Sequence, residues 1–209
     1  MAKTIALSGV DGSGKSTLAT ILSRCLEKAK VIWFRWRALT LYALYLYSKL
    51  RKLYVKTCVP HLKREIKVHV FYVDDITRTL YPYMLFLDLS LYYLLYRLIL
   101  LFRKVNVVIY DRFFLDALID AIYACRCVNK PLLILYLSVQ RKVSKTVILD
   151  VDVSIALARK KDILSRRELE VKRRLYLLLS EYMGIHIVDA SPNLENVVKN
   201  VCKIVELSC

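Results

Sequence analysis

Eight consecutive residues constrain this chain more than any others: Gly9-Val10-Asp11-Gly12-Ser13-Gly14-Lys15-Ser16, which fits G-x-x-x-x-G-K-[ST], a phosphate-binding loop. A phosphate needs several backbone N–H groups converging on one point, so the backbone itself must come close. Gly12 and Gly14 lack a Cβ and reach positive φ at little cost. Lys15 is placed to meet β- and γ-phosphates, and the Ser16 hydroxyl to ligate Mg²⁺. The flanks have the required order. Thr4-Ile5-Ala6-Leu7 suits a buried strand, and Leu18, Ile21, Leu22, Cys25 and Leu26 fall on one helical face. The chain holds four glycines, and three of them, Gly9, Gly12 and Gly14, are spent in this loop.

Downstream, apolar runs alternate with helical patterns. Val31–Phe34, Val107–Asp111, Thr146–Val151 and Ile185–Asp189 read as strands, giving about five with the first. Pro131–Leu137 reads as helix or strand, and Val197, Val198, Val201 and Ile204 mark a closing helix. This order predicts an α/β fold: a parallel sheet of the P-loop NTPase type with helices on both faces, in one domain spanning 1–209. Residues 38–56 look helical, with Leu41, Tyr45, Leu46 and Leu50 on one face; residues 61–80 give no clear pattern. Tyr83–Phe102 is apolar enough to suggest a membrane span. Asp88 and Arg97 interrupt it, and a buried helix half covered by a second subunit is the expectation.

Composition narrows the setting. Hydrophobic content of 57% excludes a disordered chain, and no signal peptide is visible at the start. The six cysteines include no C-x-x-C pair, so a metal cluster is not expected, and most should be reduced core residues in a cytoplasmic protein. A formal charge of +16 suits an acidic partner. Nucleotides satisfy it; nucleic acid is neither required nor excluded, and no membrane role is expected.

Four blocks together resemble the thymidylate kinase family of nucleoside monophosphate kinases. They are Gly9–Ser16, Ile109-Tyr110-Asp111-Arg112-Phe113, Leu149–Asp152 followed by Ala156–Arg159, and Val188-Asp189-Ala190-Ser191. The likeness covers residues 1–35 and 103–209 well and 36–102, the acceptor-side helical region, loosely. It implies ATP as phosphoryl donor, held by Gly9, Asp11, Gly12, Ser13, Gly14, Lys15, Ser16 and Thr17, with Arg159 and Ser191 beside the adenine. Mg²⁺ would sit between Ser16 and Asp111. Arg112 and Arg35 would face the acceptor phosphate, Asp11 the acceptor sugar, and Phe86 the acceptor base. Because Gly12 leaves the loop without its own extra cation, the basic lid at 159–174 should supply one, with Lys160, Lys161 and Arg166 as candidates. The resemblance also implies a homodimer and dTMP as acceptor.

The departures lie on the acceptor side. Ser90 stands where the family carries an arginine that reads thymine. Asp116 and Asp120, at i+4 and i+8 from Arg112, replace uncharged residues. Carboxylates there would favour an exocyclic amine or a sugar hydroxyl; alternatively Asp116 pairs with Arg112 and Asp120 faces water. Other readings are a P-loop kinase for another small acceptor, or a non-catalytic nucleotide-binding protein associated with nucleic acid.

Overall fold

The computed structural model describes residues 2–35, 39–59, 64–160 and 165–206. Strand β1 (Lys3–Ser8) is the centre of the protein: its Ile5, Ala6 and Leu7 are fully buried. Helix α1 (Lys15–Cys25) follows the glycine loop, and β2 (Ala29–Trp33) follows α1. Further along come β5 (Val107–Asp111), β6 (Lys145–Asp150) and β7 (His186–Asp189), reached after a separate hairpin, β3 (Tyr54–Val59) and β4 (Arg64–His69). The five strands β2-β5-β1-β6-β7 pair in that order, all parallel. All of β5 is buried, as a parallel strand covered on both faces must be. Helix α1 packs against α8 (Leu194–Val205) and the sheet. The second layer is built from α3 (Asp75–Leu101), α4 (Phe114–Cys125), α5 (Lys130–Gln140) and α7 (Arg166–Met183), and the short α6 (Val153–Arg159) leads into it. Sequence and structure agree on the strands and on the closing helix.

The acceptor-side region departs from expectation in three ways. Helix α2 (Leu41–Leu50) stops before the predicted end, because the chain turns through Arg51 and Lys52 (φ 56°) into β3. Its inward stripe is Leu41, Leu44 and Ser48, so Leu46 and Leu50 face solvent. The unassigned stretch 61–80 supplies β4, a 3-10 turn at Phe71–Val73 and the first turn of α3; the hairpin is antiparallel and separate from the main sheet. Finally, α3 is not a buried helix. Tyr81, Leu85, Asp88, Leu89 and Tyr93 face inward, while Leu80, Leu87, Leu91, Leu94, Leu98 and Leu101 are exposed. It is the one described helix long and apolar enough to cross a membrane.

Asp88 has a structural explanation. Its carboxylate accepts from the amides of Leu39 (2.9 Å), Thr40 (2.8 Å) and Leu41 (3.2 Å), so it caps the N-terminus of α2 from another helix. Cys125 is a core residue as expected and Cys25 is exposed; Cys202 is disulfide-bonded, where free thiols were expected.

Candidate active site

Register brings the site together. Leu7 pairs with Asp111 across β1 and β5, so the glycine loop and Asp111 leave the sheet at the same edge, where open α/β sheets bind ligands. The loop closes tightly on its surroundings. A Cβ on Gly9 (φ 139°) would lie 2.4 Å from the Leu149 carbonyl oxygen, and one on Gly12 (φ 84°) 2.5 Å from that of Ala156. Only glycine fits either position. The Gly12 contact seats the loop against α6, which leads to the lid.

Lys15 is buried and turned into the loop. Its Nζ donates to the carbonyls of Gly9 (2.8 Å) and Val10 (2.7 Å) and to Ser13 Oγ (3.2 Å). Burial, with the Arg112 guanidinium next, lowers its pKa to about 8. Ser16 Oγ donates to Asp111 Oδ2 at 2.5 Å. Asp111 Oδ1 is buried without a hydrogen-bond partner among the described residues. A buried carboxylate oxygen with no donor, beside a hydroxyl, fits a hard divalent cation such as Mg²⁺. Thr17 follows on the exposed side of α1.

Arg112 leaves β5 in the left-handed region (φ 71°), its amide bound to the Leu7 carbonyl at 3.0 Å. That turn sends its guanidinium to Asp11, and the second Asp11 oxygen lies 3.4 Å from Lys160 Nζ. Burial would raise the Asp11 pKa, but Arg112 and then Lys15 and Lys160 hold it well below the usual carboxylate range. Arg112, despite its burial, is correspondingly held protonated by Asp11. Asp116 is the hub beneath them. Fully buried, it accepts from Ser8 Oγ (2.7 Å), Tyr176 Oη (2.7 Å), the Phe113 amide (2.9 Å) and the Gly9 amide (3.4 Å). One carboxylate thus ties together the start of the loop, the first turn of α4 and the lid-side helix α7. Burial raises its pKa against the opposing pull of Arg112 and Lys15.

Gly9, Asp11, Arg112, Asp116, Tyr176 and Lys160 line a cleft of about 340 Å³. Asp11, Arg35, Arg112 and Lys160 meet there, with Phe34, Leu89 and Phe113 as apolar wall and Asp120, Glu168 and Lys172 along its α4–α7 side. Lys172 Nζ lies 2.7 Å from Asp120 Oδ1 and 2.6 Å from Glu168 Oε1. Arg159 donates to the carbonyls of Ala190 (2.9 Å) and Ser191 (3.3 Å), which joins the two predicted adenine-side residues.

Several expectations need correction. Phe86 does not line the cleft: it packs against Phe114 and Tyr136 (ring centroids 5.6 and 5.2 Å apart), because it projects toward α4 and α5. Ser90 also lies off the cleft, its Oγ buried without a partner among the described residues. Leu89 is the α3 residue that reaches it. Arg166 points to solvent, pairs with Glu170 at 3.0 Å and does not line the cleft, where Lys160 is the basic residue from the 159–174 segment beside Asp11. Lys161 lies outside the described residues. Asp116 is a hub instead of the i+4 partner of Arg112, and Asp120 holds Lys172 instead of water alone. Sequence reasoning missed Lys172 and Tyr176. Their spacing from Leu169, i+3 and i+7 on one helical face, marks a lysine inside an apolar stripe, and that was the available signal.

No protein-family model matches the sequence, and no curated protein does. Solved structures do. A thymidylate kinase from Candida albicans superposes with a TM-score of 0.64 at 17% identity, covering 98% of this chain and 91% of the other. The fold is that of a P-loop nucleotide kinase. A deoxyadenosine kinase from M. mycoides with bound dATP superposes at TM-score 0.58 and 15% identity, covering 97% of this chain and 99% of that one. The same enzyme with dCTP gives 0.52. In the present chain Gly9, Val10 and Asp11 of the loop share one cleft with Arg112 and Lys160.

Proposed function

We propose that the protein is a nucleoside monophosphate kinase, which moves the γ-phosphoryl group of ATP onto the phosphate of a nucleoside monophosphate. The carrying observation is that Arg35, Arg112 and Lys160 converge with the phosphate loop on a single cleft. Phosphoryl transfer between two anions asks for positioned cations more than for a base. A kinase acting on a free hydroxyl has more use for an available carboxylate. Asp11 is a poor base, its pKa depressed and its oxygens facing Arg112 and Lys160. Asp116 already accepts from four donors, and Asp120 and Glu168, on the α4–α7 side of the cleft, each face Lys172.

Lys15 and the loop amides would hold the β- and γ-phosphates, and Arg159 and Ser191 would border the adenine. Ser16 and Asp111 would hold Mg²⁺; when bound there it supplies charge neutralisation on the donor phosphates. Arg112 would clamp the acceptor phosphate, with Lys160 bringing lid charge to the transferred group. Within this class dTMP is the acceptor that the sequence resemblance implies, and the thymidylate kinase neighbour supports including it. A soluble, cytoplasmic homodimer is the setting of this reading. Exposed Leu80, Leu87, Leu91, Leu94, Leu98 and Leu101, with half-buried Met84, alternate spacings of four and three along α3, the pattern of helix pairing. The test is ADP release with a panel of nucleoside monophosphates, wild type against Lys15→Ala. Turnover in the wild type and none in a folded variant is expected; turnover retained by Lys15→Ala overturns the reading.

A further inference from the structure

The cleft runs along α4, from Arg112 at the phosphate-loop end past Asp116 and Ala117 to Asp120. α4 begins at Phe114, and Asp120 stands six residues further, about 9 Å of helix rise, while Arg112 precedes the helix at the phosphate-loop end. If the acceptor phosphate lies at Arg112, its base lies at the far end, against Asp120, Lys172 and Glu168. These three are not solvent ornaments. Lys172 is 19% exposed and sits between its two carboxylates, while Asp120 and Glu168 are 43% and 30% exposed. All three line the cleft.

We infer that Asp120, Lys172 and Glu168 read the acceptor base and select one bearing an exocyclic amine, cytosine above thymine. The inference rests on the nucleoside monophosphate kinase reading. The cluster presents acceptor, donor, acceptor in space: carboxylate, ammonium, carboxylate. An ionised carboxylate accepts about four hydrogen bonds and donates none, and Lys172 donates one to each. Capacity therefore remains on both. Thymine places its O4 and O2 carbonyls on either side of N3–H, which is the same acceptor–donor–acceptor order. Set against this wall, at least one carbonyl meets a carboxylate. Cytosine instead offers the N4 amine, for which Asp and Glu are fitting acceptors, next to the N3 acceptor that an ammonium satisfies, so only its O2 opposes a carboxylate, where thymine in the same register mismatches at O4, N3–H and O2. Lys172 stays protonated: burial would lower its pKa, but Asp120 and Glu168 raise it. On α3 nothing counters this preference, since Ser90 is off the cleft and Leu89 has no polar group. Desolvating these groups against the wrong base leaves them unpaired, and that penalty is what discriminates.

The experiment is a one-pot competition between dCMP and dTMP with ATP–Mg, reading the ratio of diphosphate products, beside calorimetric binding of each monophosphate. Wild type should favour dCMP by about tenfold or more in kcat/KM. Asp120→Asn and Glu168→Gln keep shape and remove charge. Each should pull that ratio below about threefold while melting temperature and ATP affinity stay close to wild type, which a purely structural ion pair would not do. A preference for dTMP, or a ratio unchanged in both variants, overturns the inference. If no monophosphate is phosphorylated, the kinase reading fails and binding decides: tighter dCMP supports the base assignment, and equal or absent binding overturns it.

Discussion

Replacing Asp116 with alanine should be the most damaging single change near the cleft. The carboxylate serves three well-placed donors, Ser8 Oγ at 2.7 Å, Tyr176 Oη at 2.7 Å and the Phe113 amide at 2.9 Å, and a weaker one, the Gly9 amide at 3.4 Å. Ser8, Phe113 and Tyr176 are all buried, so their donors cannot turn to bulk water. Each orphaned buried donor costs about 1–3 kcal/mol. The cleft borders Asp116, and water entering it recovers part of the loss. The net expectation is about 3–5 kcal/mol, a large fraction of the total stability of a domain. Asp116→Asn keeps one acceptor oxygen and turns an amide against a donor, so about 1–2 kcal/mol is expected. Urea unfolding of both variants, with unchanged m-values, measures this. A loss under about 1 kcal/mol for the alanine variant would show that the hub does not tie the loop, α4 and α7 together.

Four further outcomes follow from the site and the surface. Lys15 has a folded pKa of about 8 against an ordinary 10.5, so between those values the unfolded chain holds a proton that the folded one has lost. Stability should therefore rise with pH across that window by about 3 kcal/mol relative to Lys15→Met; a flat difference in unfolding free energy between the two from pH 7.5 to 10 would contradict it. Nucleotide affinity should weaken above about pH 8 for the same reason. Arg112→Ala should cost about 2–4 kcal/mol in acceptor kcat/KM with little change in ATP binding, and unchanged acceptor kinetics would remove it from the site. The outer stripe of α3 should hold two copies together, so Leu91→Glu should convert a dimer to a monomer in sedimentation equilibrium; a wild-type monomer at micromolar concentration would refute this.

The sequence exposes some of these features and hides others for physical reasons. The loop, β1, α1, β5 and β7 are legible because local pattern alone specifies them: a glycine motif, apolar runs and one helical period. Arg112, Asp111 and Ser16 are legible because backbone register, not side-chain packing, brings them together. The hairpin is hidden by dense charge and by the lack of any Asn-Gly or Asp-Gly turn between its strands. Asp88 looks like a break in an apolar helix until α2, whose first residue Leu41 is 47 positions earlier, is seen to start on it. Phe86 and Leu89 are both apolar and three residues apart, so only packing against Phe114 and Tyr136 decides which one faces the cleft. Asp120 could not be assigned without Lys172, which belongs to a helix 52 residues away.

The central claim is that this cleft moves a phosphoryl group between two nucleotides. Phosphorus NMR of the protein mixed with ATP, Mg²⁺ and a single nucleoside monophosphate tests it most directly. Two new diphosphates, ADP and the acceptor's own, should grow at equal rates in the wild type, and neither should appear with Lys15→Ala. ADP appearing with inorganic phosphate and no second diphosphate, for every monophosphate supplied, would contradict it.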